Sequence, residues 1–174
     1  MMNGQQYIDS LRQIRPKVYA FGEEIESVVD SPLTRPHVNC ASLTYELAFD
    51  PQYENLMTAK SHLTGKKINR FTHIHQSTDD LVKKVKMLRM IAQKTGSCFQ
   101  RCVGMDAINA LYSVTWELDQ ARGTDYHERF KKYVQYLQDE DLVADGAMTD
   151  PKGDRSLPPH KQPEPDVYVH VVEK

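Results

Sequence analysis

The chain has 174 residues, 40% hydrophobic and 26% charged, which suits one domain with a real core. The formal net charge of -2 and the lack of a basic stripe exclude an ordinary nucleic-acid-binding protein, and no apolar run is long enough to span a bilayer. Three cysteines without an export signal indicate a reducing compartment, so we expect a cytoplasmic protein without disulfides.

The predicted secondary structure before residue 145 is mainly helical. Apolar residues at helical spacing predict helices at 5–15, 37–49, 78–95, 98–121 and 124–139. The stretch Val18 to Phe21 predicts a short strand, residues 23–30 a brief helical turn, and residues 63–74 an extended loop. In the 78–95 helix one apolar stripe contains Leu81, Val85, Leu88 and Ala92. The helix ends are expected at Ser77 or Thr78, Gly96, Gly123 and Thr124.

The character of the chain changes at Asp145. The next ten residues are polar and rich in turn formers, and five prolines lie between Pro151 and Pro165, counting both. Residues 167–172 are β-branched and aromatic, which predicts a strand with no partner strand in view. We therefore expect a helical domain over 1–144, with 145–174 forming the entrance to a β-domain that is cut short.

Two cysteines, Cys98 and Cys102, lie four residues apart in what the spacing predicts to be helix. On a helix both sulfurs would lie on one face, one turn apart, where they could hold a soft metal or an iron–sulfur cluster. They supply two ligands where four are usual, and a third nearby cysteine is missing. The alternative is a pair of small buried residues, which is also the role expected for Cys40.

Three weaker signals remain. Asp150 to Gly153 fits a type I turn by residue preference, and the charged and polar residues around it would also suit the pyrophosphate of a nucleotide cofactor. His73 and His75 could share one side of a strand and bind metal, but ordinary satisfied histidines are the simpler interpretation. The lysines at 83, 84 and 86 form a solvated helix face, or meet an acidic ligand such as a CoA phosphate.

Five segments of the sequence together resemble a known family. They are 35–39 (RPHVN), 41–48 (ASLTYELA), 103–107 (VGMDA), 123–127 (GTDYH) and 146–155. With them the chain resembles the N-terminal part of the 4-hydroxybutyryl-CoA dehydratases (vinylacetyl-CoA delta-isomerases), which belong with the flavin-dependent 4-hydroxyphenylacetate 3-hydroxylases. The resemblance covers essentially the whole chain but only the first part of the family's longer sequence.

This resemblance implies a mainly α, acyl-CoA dehydrogenase-like fold: a helical N-terminal domain, a middle β-domain and a C-terminal helical bundle. It implies FAD and a [4Fe-4S] cluster in a homotetramer. Cys98 and Cys102 match the family's two N-terminal cluster cysteines, spaced C-x3-C. The other ligands, a histidine and a third cysteine, are expected beyond Lys174 together with the catalytic residues. The matching flavin-binding segment comprises Met148, Thr149, Asp150, Pro151, Lys152, Gly153, Asp154 and Arg155.

For the complete enzyme, the resemblance implies dehydration of 4-hydroxybutyryl-CoA to crotonyl-CoA, with isomerisation of vinylacetyl-CoA as a second activity. The implied partners are the acyl-CoA substrate and further copies of the subunit, with no nucleic acid and no membrane. The isolated chain is expected to be inactive. Two alternatives stay open: an FAD-dependent aromatic hydroxylase of the 4-hydroxyphenylacetate 3-monooxygenase type, and an inactive truncated helical module. The hydroxylase branch has no cluster, so the cysteine pair favours the dehydratase branch.

Overall fold

The computed structural model describes residues 1–96, 98–99, 101–146, 154, 156–157 and 161. Across these residues the chain is mostly helical, as the sequence predicts. The helices are α1 (Gly4–Ile14), α2 (Arg35–Glu46), α3 (Glu54–Met57), α4 (Thr78–Thr95), α5 (Cys102–Arg122) and α6 (Tyr126–Asp139). The strands are β1 (Val18–Ala20), β2 (Glu23–Ile25), β3 (Thr58–Lys60) and β4 (Lys67–Asn69), and a 3₁₀ turn covers Arg70–Thr72.

Local side chains and glycines set most of the helix ends. The side chain of Ser77 accepts a hydrogen bond from the backbone N–H of Asp80, and Gly96 ends α4 in the left-handed conformation with φ +60°. Gly123 ends α5 in the same way, with φ +65°. At the first helix, Asn3 and Gln6 form a reciprocal capping box. These ends confirm the predicted limits of α4 and the predicted end of α5.

The prediction of a helical turn at 23–30 is wrong in its first part, because Glu23 to Ile25 form β2. Phe21 and Gly22 both adopt positive φ, 54° and 85°. Two such residues make the tight hairpin turn that matches the twist of paired strands. The chain therefore folds back, and Val18 pairs with Ile25 in antiparallel register. A second hairpin pairs β3 with β4, so the predicted loop at 63–74 contains a short strand and the 3₁₀ turn.

The core lies between the helices in two clusters. The larger one joins α2, α3, α4 and the start of α5 through Leu47, Ala48, Met57, Phe71, Met87, Ile91, Phe99 and Met105. The smaller one joins α5 and α6 through Ile74, Ile108, Val134 and Leu137. The larger cluster surrounds the segment that precedes α5, so the predicted cysteine site is built directly on the core.

The predicted apolar stripe of α4 does not coincide with the face that packs against the core. Met87 and Ile91 are the fully buried residues of α4, whereas Leu81 and Val85 are exposed. On α5 the fully buried apolar residues lie only near the N-terminus of the helix, whereas Val114 and Trp116 farther along are exposed. Apolar residues surround much of both helices, so spacing alone could not identify the face that packs.

The cap of α6 also differs from the prediction. Asp125 occupies the cap position without a side-chain hydrogen bond, and the hydroxyl of Thr124 instead donates to Asp119. The carboxylate of Asp119 accepts the backbone N–H groups of Tyr126 and His127 at 2.9 Å each. A side chain from the last turn of α5 therefore caps α6, which ties the two helices together at their junction.

The predicted strand at 167–172 lies outside the described residues, as does most of the 145–174 segment. The proposed division at residue 144 therefore stays a prediction. Within the described ranges, no helix combines the length and the apolar character that crossing a bilayer requires.

Candidate functional site

The segment from Cys98 to Cys102 is not helical throughout, since α5 begins at Cys102. The predicted start of this helix at Cys98 is therefore wrong. Phe99 and Arg101 are both buried, with 5% and 1% exposure, whereas Cys98 is exposed and Cys102 is partly buried. Phe99 and Arg101 therefore anchor the non-helical residues before α5 on the core, and Arg101 occupies the cap position of the helix. The two cysteines nevertheless come together by this different route.

The two thiols interact with each other at the start of α5. Burial raises the pKa of Cys102, and the charge of Cys98 and a hydrogen bond with its thiol raise it further. Hydrogen bonds from the backbone N–H groups of Val103 and Cys102 act in the opposite direction. Amides at a helix N-terminus favour negative charge, but burial and the neighbouring Cys98 outweigh them, so the pKa of Cys102 is raised. The arrangement offers two neighbouring sulfur donors beside partial positive charge.

Within the described part of the chain, the pair offers two thiol donors and no further candidate ligand beside them. Among the described residues no group of three histidine, cysteine or acidic side chains could hold a metal ion. Cys40 packs against the larger core cluster, which agrees with its predicted structural role. Two thiols of this chemistry fit a soft metal or an iron–sulfur cluster only as a partial ligand set.

Arg101, between the two cysteines, is a buried charged neighbour that the sequence analysis did not single out. Its guanidinium lies over the rings of Tyr45 and Phe71, with 4.3 and 4.7 Å between its central carbon and the ring centroids. Its Nη1 donates to the hydroxyl of Thr44 at 3.0 Å, and its Nη2 lies 3.9 Å from Oδ1 of Asp141. The available signal is an arginine directly before Cys102 and two residues after Phe99, at the start of a helix with many apolar residues.

Asp141 joins the arginine to two distant parts of the chain. Its Oδ2 accepts the backbone N–H of Met2 at 2.8 Å, and its backbone carbonyl accepts the hydroxyl of Tyr45 at 2.9 Å. Burial raises the pKa of Asp141, although the positive charge of Arg101 opposes that change. Burial also disfavours the charged form of Arg101, which lowers the pKa of that residue. The segment after α6 and the N-terminus are thus fixed around the arginine that precedes Cys102.

Of the predicted flavin-binding segment, the structure describes only Asp154. Its carboxylate accepts hydrogen bonds from the backbone N–H and the hydroxyl of Ser156, at 2.9 and 2.6 Å. Its carbonyl accepts the backbone N–H of Leu157 at 3.0 Å. The hydrogen bonds from Ser156 lower the pKa of Asp154. Met148 to Gly153 and Arg155 lie outside the described residues, so the flavin-binding assignment stays a prediction.

His73 and His75 lie after the 3₁₀ turn, not on a strand. Burial lowers the pKa of His73, whose Nε2 lies 3.2 Å from Oδ1 of Asp80. Arg70, buried at 3% exposure, reaches the same carboxylate at 3.3 Å. Burial would raise the pKa of Asp80, but hydrogen bonds from the N–H of Gln76 and from its other neighbours hold it well below the usual value. This arrangement stabilises the start of α4.

A polar cavity of about 540 Å³ opens beside this group, between α3, the β3–β4 hairpin and the start of α4. Its basic residues are mostly neutralised: Lys67 pairs with Glu54, and Lys83 pairs with Asp79. Lys84, from the predicted lysine face, pairs with Asp106 of α5. The paired lysines of this run favour the interpretation as an ordinary solvated helix face.

The chain belongs to the 4-hydroxyphenylacetate 3-hydroxylase N-terminal family, whose family model matches residues 3–174. It is 60% identical over 174 residues to the 4-hydroxybutyryl-CoA dehydratase/vinylacetyl-CoA-Delta-isomerase of Clostridium aminobutyricum, covering 100% of this chain and 36% of that protein. The predicted resemblance is therefore confirmed.

Solved structures show the same division within the family. An oxygen-tolerant archaeal 4-hydroxybutyryl-CoA dehydratase from N. maritimus matches with 53% identity and a TM-score of 0.84, covering 94% of this chain and 32% of that one. The oxygenase component of 4-hydroxyphenylacetate 3-monooxygenase, complexed with FAD and 4-hydroxyphenylacetate, matches with 26% identity and a TM-score of 0.70, covering 100% and 36%. The chain thus spans about a third of the length of these relatives.

Proposed function

We propose that this chain is the N-terminal part of an FAD- and iron–sulfur-dependent 4-hydroxybutyryl-CoA dehydratase. The observation that carries the proposal is the pair Cys98 and Cys102, whose thiols meet at the start of α5. The 60% identity over the whole chain to a dehydratase supports the same assignment. In the complete enzyme the reaction would convert 4-hydroxybutyryl-CoA to crotonyl-CoA, with vinylacetyl-CoA isomerisation as the second activity.

In this proposal Cys98 and Cys102 supply two thiolate ligands to a [4Fe-4S] cluster. The chain holds them by different means, since Cys102 opens α5 and Cys98 lies before it, outside the helix. Backbone N–H groups at the helix start balance part of the negative charge of bound thiolates. The remaining ligands and the catalytic base belong to the part of the enzyme that corresponds to the rest of the relatives' length.

The flavin seat is proposed at residues 148–155, on the family resemblance and on the FAD bound by the related oxygenase component. When bound, the flavin would supply transient one-electron oxidation of the acyl-CoA, which would make its unactivated β-hydrogen acidic, and the cluster would supply a Lewis acid for the departing hydroxyl. The family also favours a cytoplasmic homotetramer that binds an acyl-CoA. This chain contributes ligands and part of the flavin seat, but the chain alone is expected to be inactive.

An aromatic hydroxylase is the second candidate. The chain is 28% identical over 175 residues to the oxygenase component of 4-hydroxyphenylacetate 3-monooxygenase from Thermus thermophilus, covering 98% of this chain and 34% of that protein. The higher identity to the dehydratase and the cysteine pair favour the first proposal. The hydroxylase hypothesis predicts that the complete protein binds no iron and hydroxylates a phenol in an oxygen-dependent reaction.

The test is anaerobic reconstitution of the chain with iron, sulfide and FAD. The chain is reconstituted by itself and, in parallel, together with a polypeptide that contains the remainder of the Clostridium aminobutyricum dehydratase. Bound iron and sulfide are measured after gel filtration, and crotonyl-CoA is assayed from 4-hydroxybutyryl-CoA. The variants are Cys98→Ser and Cys102→Ser, with Cys40→Ala as the control because Cys40 lies in α2, outside the 98–102 segment.

We expect iron, sulfide and turnover only in the complemented preparation, retained in Cys40→Ala and lost in the two serine variants. Turnover by the chain alone would contradict the expected division of the site. Iron-free, oxygen-dependent hydroxylation of 4-hydroxyphenylacetate in the presence of reduced flavin would select the second candidate. A complemented complex that binds neither cofactor would identify an inactive helical module.

A further inference from the structure

The environment of Arg101 is costly for a purely structural residue. The side chain is 1% exposed, and its Nε and Nη2 donate to no acceptor in the described part of the chain. Oδ1 of Asp141, the facing carboxylate atom at 3.9 Å, also lacks a hydrogen bond among these residues. An incompletely bonded buried ion pair stabilises less than apolar side chains of similar volume. Fold stability alone therefore does not account for an arginine here.

What the guanidinium does have is directional contact on several sides. Tyr45 and Phe71 lie against its plane, and Thr44 accepts from Nη1. A planar guanidinium held between rings and fixed by one hydrogen bond has little freedom to rotate. Because Thr44 and Tyr45 belong to α2 and Phe71 to the 3₁₀ turn, the backbone of residue 101 is fixed relative to both elements.

This fixed residue is directly bonded to Cys102 and is three residues from Cys98. Phe99, one residue after Cys98, is buried at 5% and packs on the ring of Phe71 with 5.7 Å between centroids. Two inward anchors, Phe99 and Arg101, therefore hold the segment whose cysteines remain partly or fully exposed. The ring of Phe71 contacts both anchors, so one core residue sets their separation.

We propose that Arg101 is a positioning residue for the cysteine pair: its seat between Tyr45 and Phe71 holds the two thiols at a separation suited to one metal centre. The inference rests on the proposed metal-binding role of the pair. It assigns to Arg101 no contact with substrate or cofactor. Outer residues that orient metal ligands change metal affinity by about 10- to 100-fold when they are replaced.

The test uses Cd²⁺ as the probe, because this soft ion binds thiolates and needs no enzyme activity for its readout. Anaerobic titration of the reduced chain follows thiolate-to-metal charge-transfer absorbance, and far-UV circular dichroism verifies folding at the same temperature. The variants are Arg101→Met and Arg101→Lys. Arg70→Met is the matched control, since Arg70 is also buried and paired but is bonded to Asp80 and to carbonyls of residues 55, 56 and 58.

We expect both Arg101 variants to weaken Cd²⁺ binding at least about tenfold while they remain folded. Arg70→Met should lower the melting temperature without changing the Cd²⁺ affinity of the folded chain. If the Arg101 variants fail to fold, Thr44→Val provides the test. It keeps the shape of the side chain and removes the acceptor for Nη1, so it should weaken Cd²⁺ binding to a smaller but measurable extent.

Equal Cd²⁺ affinity in the wild type, Arg101→Met and Arg101→Lys would overturn the positioning role. So would an equal weakening in Arg70→Met, because the effect would then report stability alone. Where only Thr44→Val folds, unchanged affinity in that variant overturns it. The variant Cys98→Ser distinguishes failure of metal binding by the cysteine pair from failure of the positioning role of Arg101. If wild type and Cys98→Ser bind Cd²⁺ equally, the metal-binding role of the pair fails, and the role of Arg101 fails with it.

Discussion

Gly104 lies in the first turn of α5, where the helix meets the segment that follows α6. A Cβ at this position would overlap the backbone carbonyl group of Ala144 and lie 2.9 Å from its Cβ. Carbon atoms in contact normally lie about 3.5 to 4.0 Å apart. The substitution Gly104→Ala therefore requires α5 and the 142–146 segment to move apart, since a backbone carbonyl cannot rotate away as a flexible side chain can.

The expected loss of stability follows from two opposing effects. Alanine in a helix is favoured over glycine by about 1 kcal/mol. Overpacking a close contact costs about 1 to 3 kcal/mol, and contact with rigid backbone puts Gly104→Ala at the upper end of this range. We expect a net loss of about 2 kcal/mol in the free energy of unfolding, which lowers the melting temperature by roughly 4 to 8 °C.

Urea denaturation followed by circular dichroism measures this loss. The matched control is Gly4→Ala, at another buried helical glycine, whose Cβ would lie 2.7 Å from the hydroxyl oxygen of Ser42. That hydroxyl can rotate, so Gly4→Ala should cost clearly less than Gly104→Ala. An unfolding free energy for Gly104→Ala equal to or above that of the wild type would refute the close approach of α5 to Ala144.

Three further predictions concern single side chains. Tyr45→Phe leaves the carbonyl of Asp141 without its 2.9 Å hydrogen bond and should cost about 1 to 3 kcal/mol in urea denaturation, against less than about 0.5 kcal/mol for exposed Tyr136→Phe. Ser77→Ala removes the cap of α4 and should cost about 1 kcal/mol, and an unchanged urea midpoint would contradict that capping role. The pKa of Asp80 is lowered in the folded chain, so the stability from its carboxylate is present above the unfolded pKa of about 3.9 and is lost as the pH falls below that value. Asp80→Asn should therefore have a lower free energy of unfolding than the wild type at pH 7, and the difference between the two should narrow in acid.

The helices that the sequence predicts well are those with strong local end signals. Ser77 and Gly96 define α4, and Gly123 ends α5, because capping and left-handed glycines act within one turn of the helix end. The start of α5 was mispredicted by four residues. Burial of Phe99 and Arg101 decides it, and that burial depends on α2 and the 3₁₀ turn, which are distant in sequence.

The candidate site shows the same limit. Residue type and spacing single out Cys98 and Cys102 as candidates, and their thiols do interact in the structure, although Cys98 lies outside the helix that begins at Cys102. The partners of Arg101 come from residues 44, 45, 71 and 141, so no local pattern could reveal them. The packing face of α4 was equally hidden, because apolar residues occur on more than one side of that helix.

The hydrogen bond from the N–H of Met2 to Asp141 has a consequence for the order of assembly during translation. The two residues are 139 positions apart, so the segment around Met2 waits until Asp141 has been synthesised before it reaches its partner. The α5–α6 pair, by contrast, is joined at Asp119 by bonds that span at most eight residues. Local pairs form fast and distant contacts slowly. The segment around Met2 is therefore expected to reach its final position late, after the helices around it have formed.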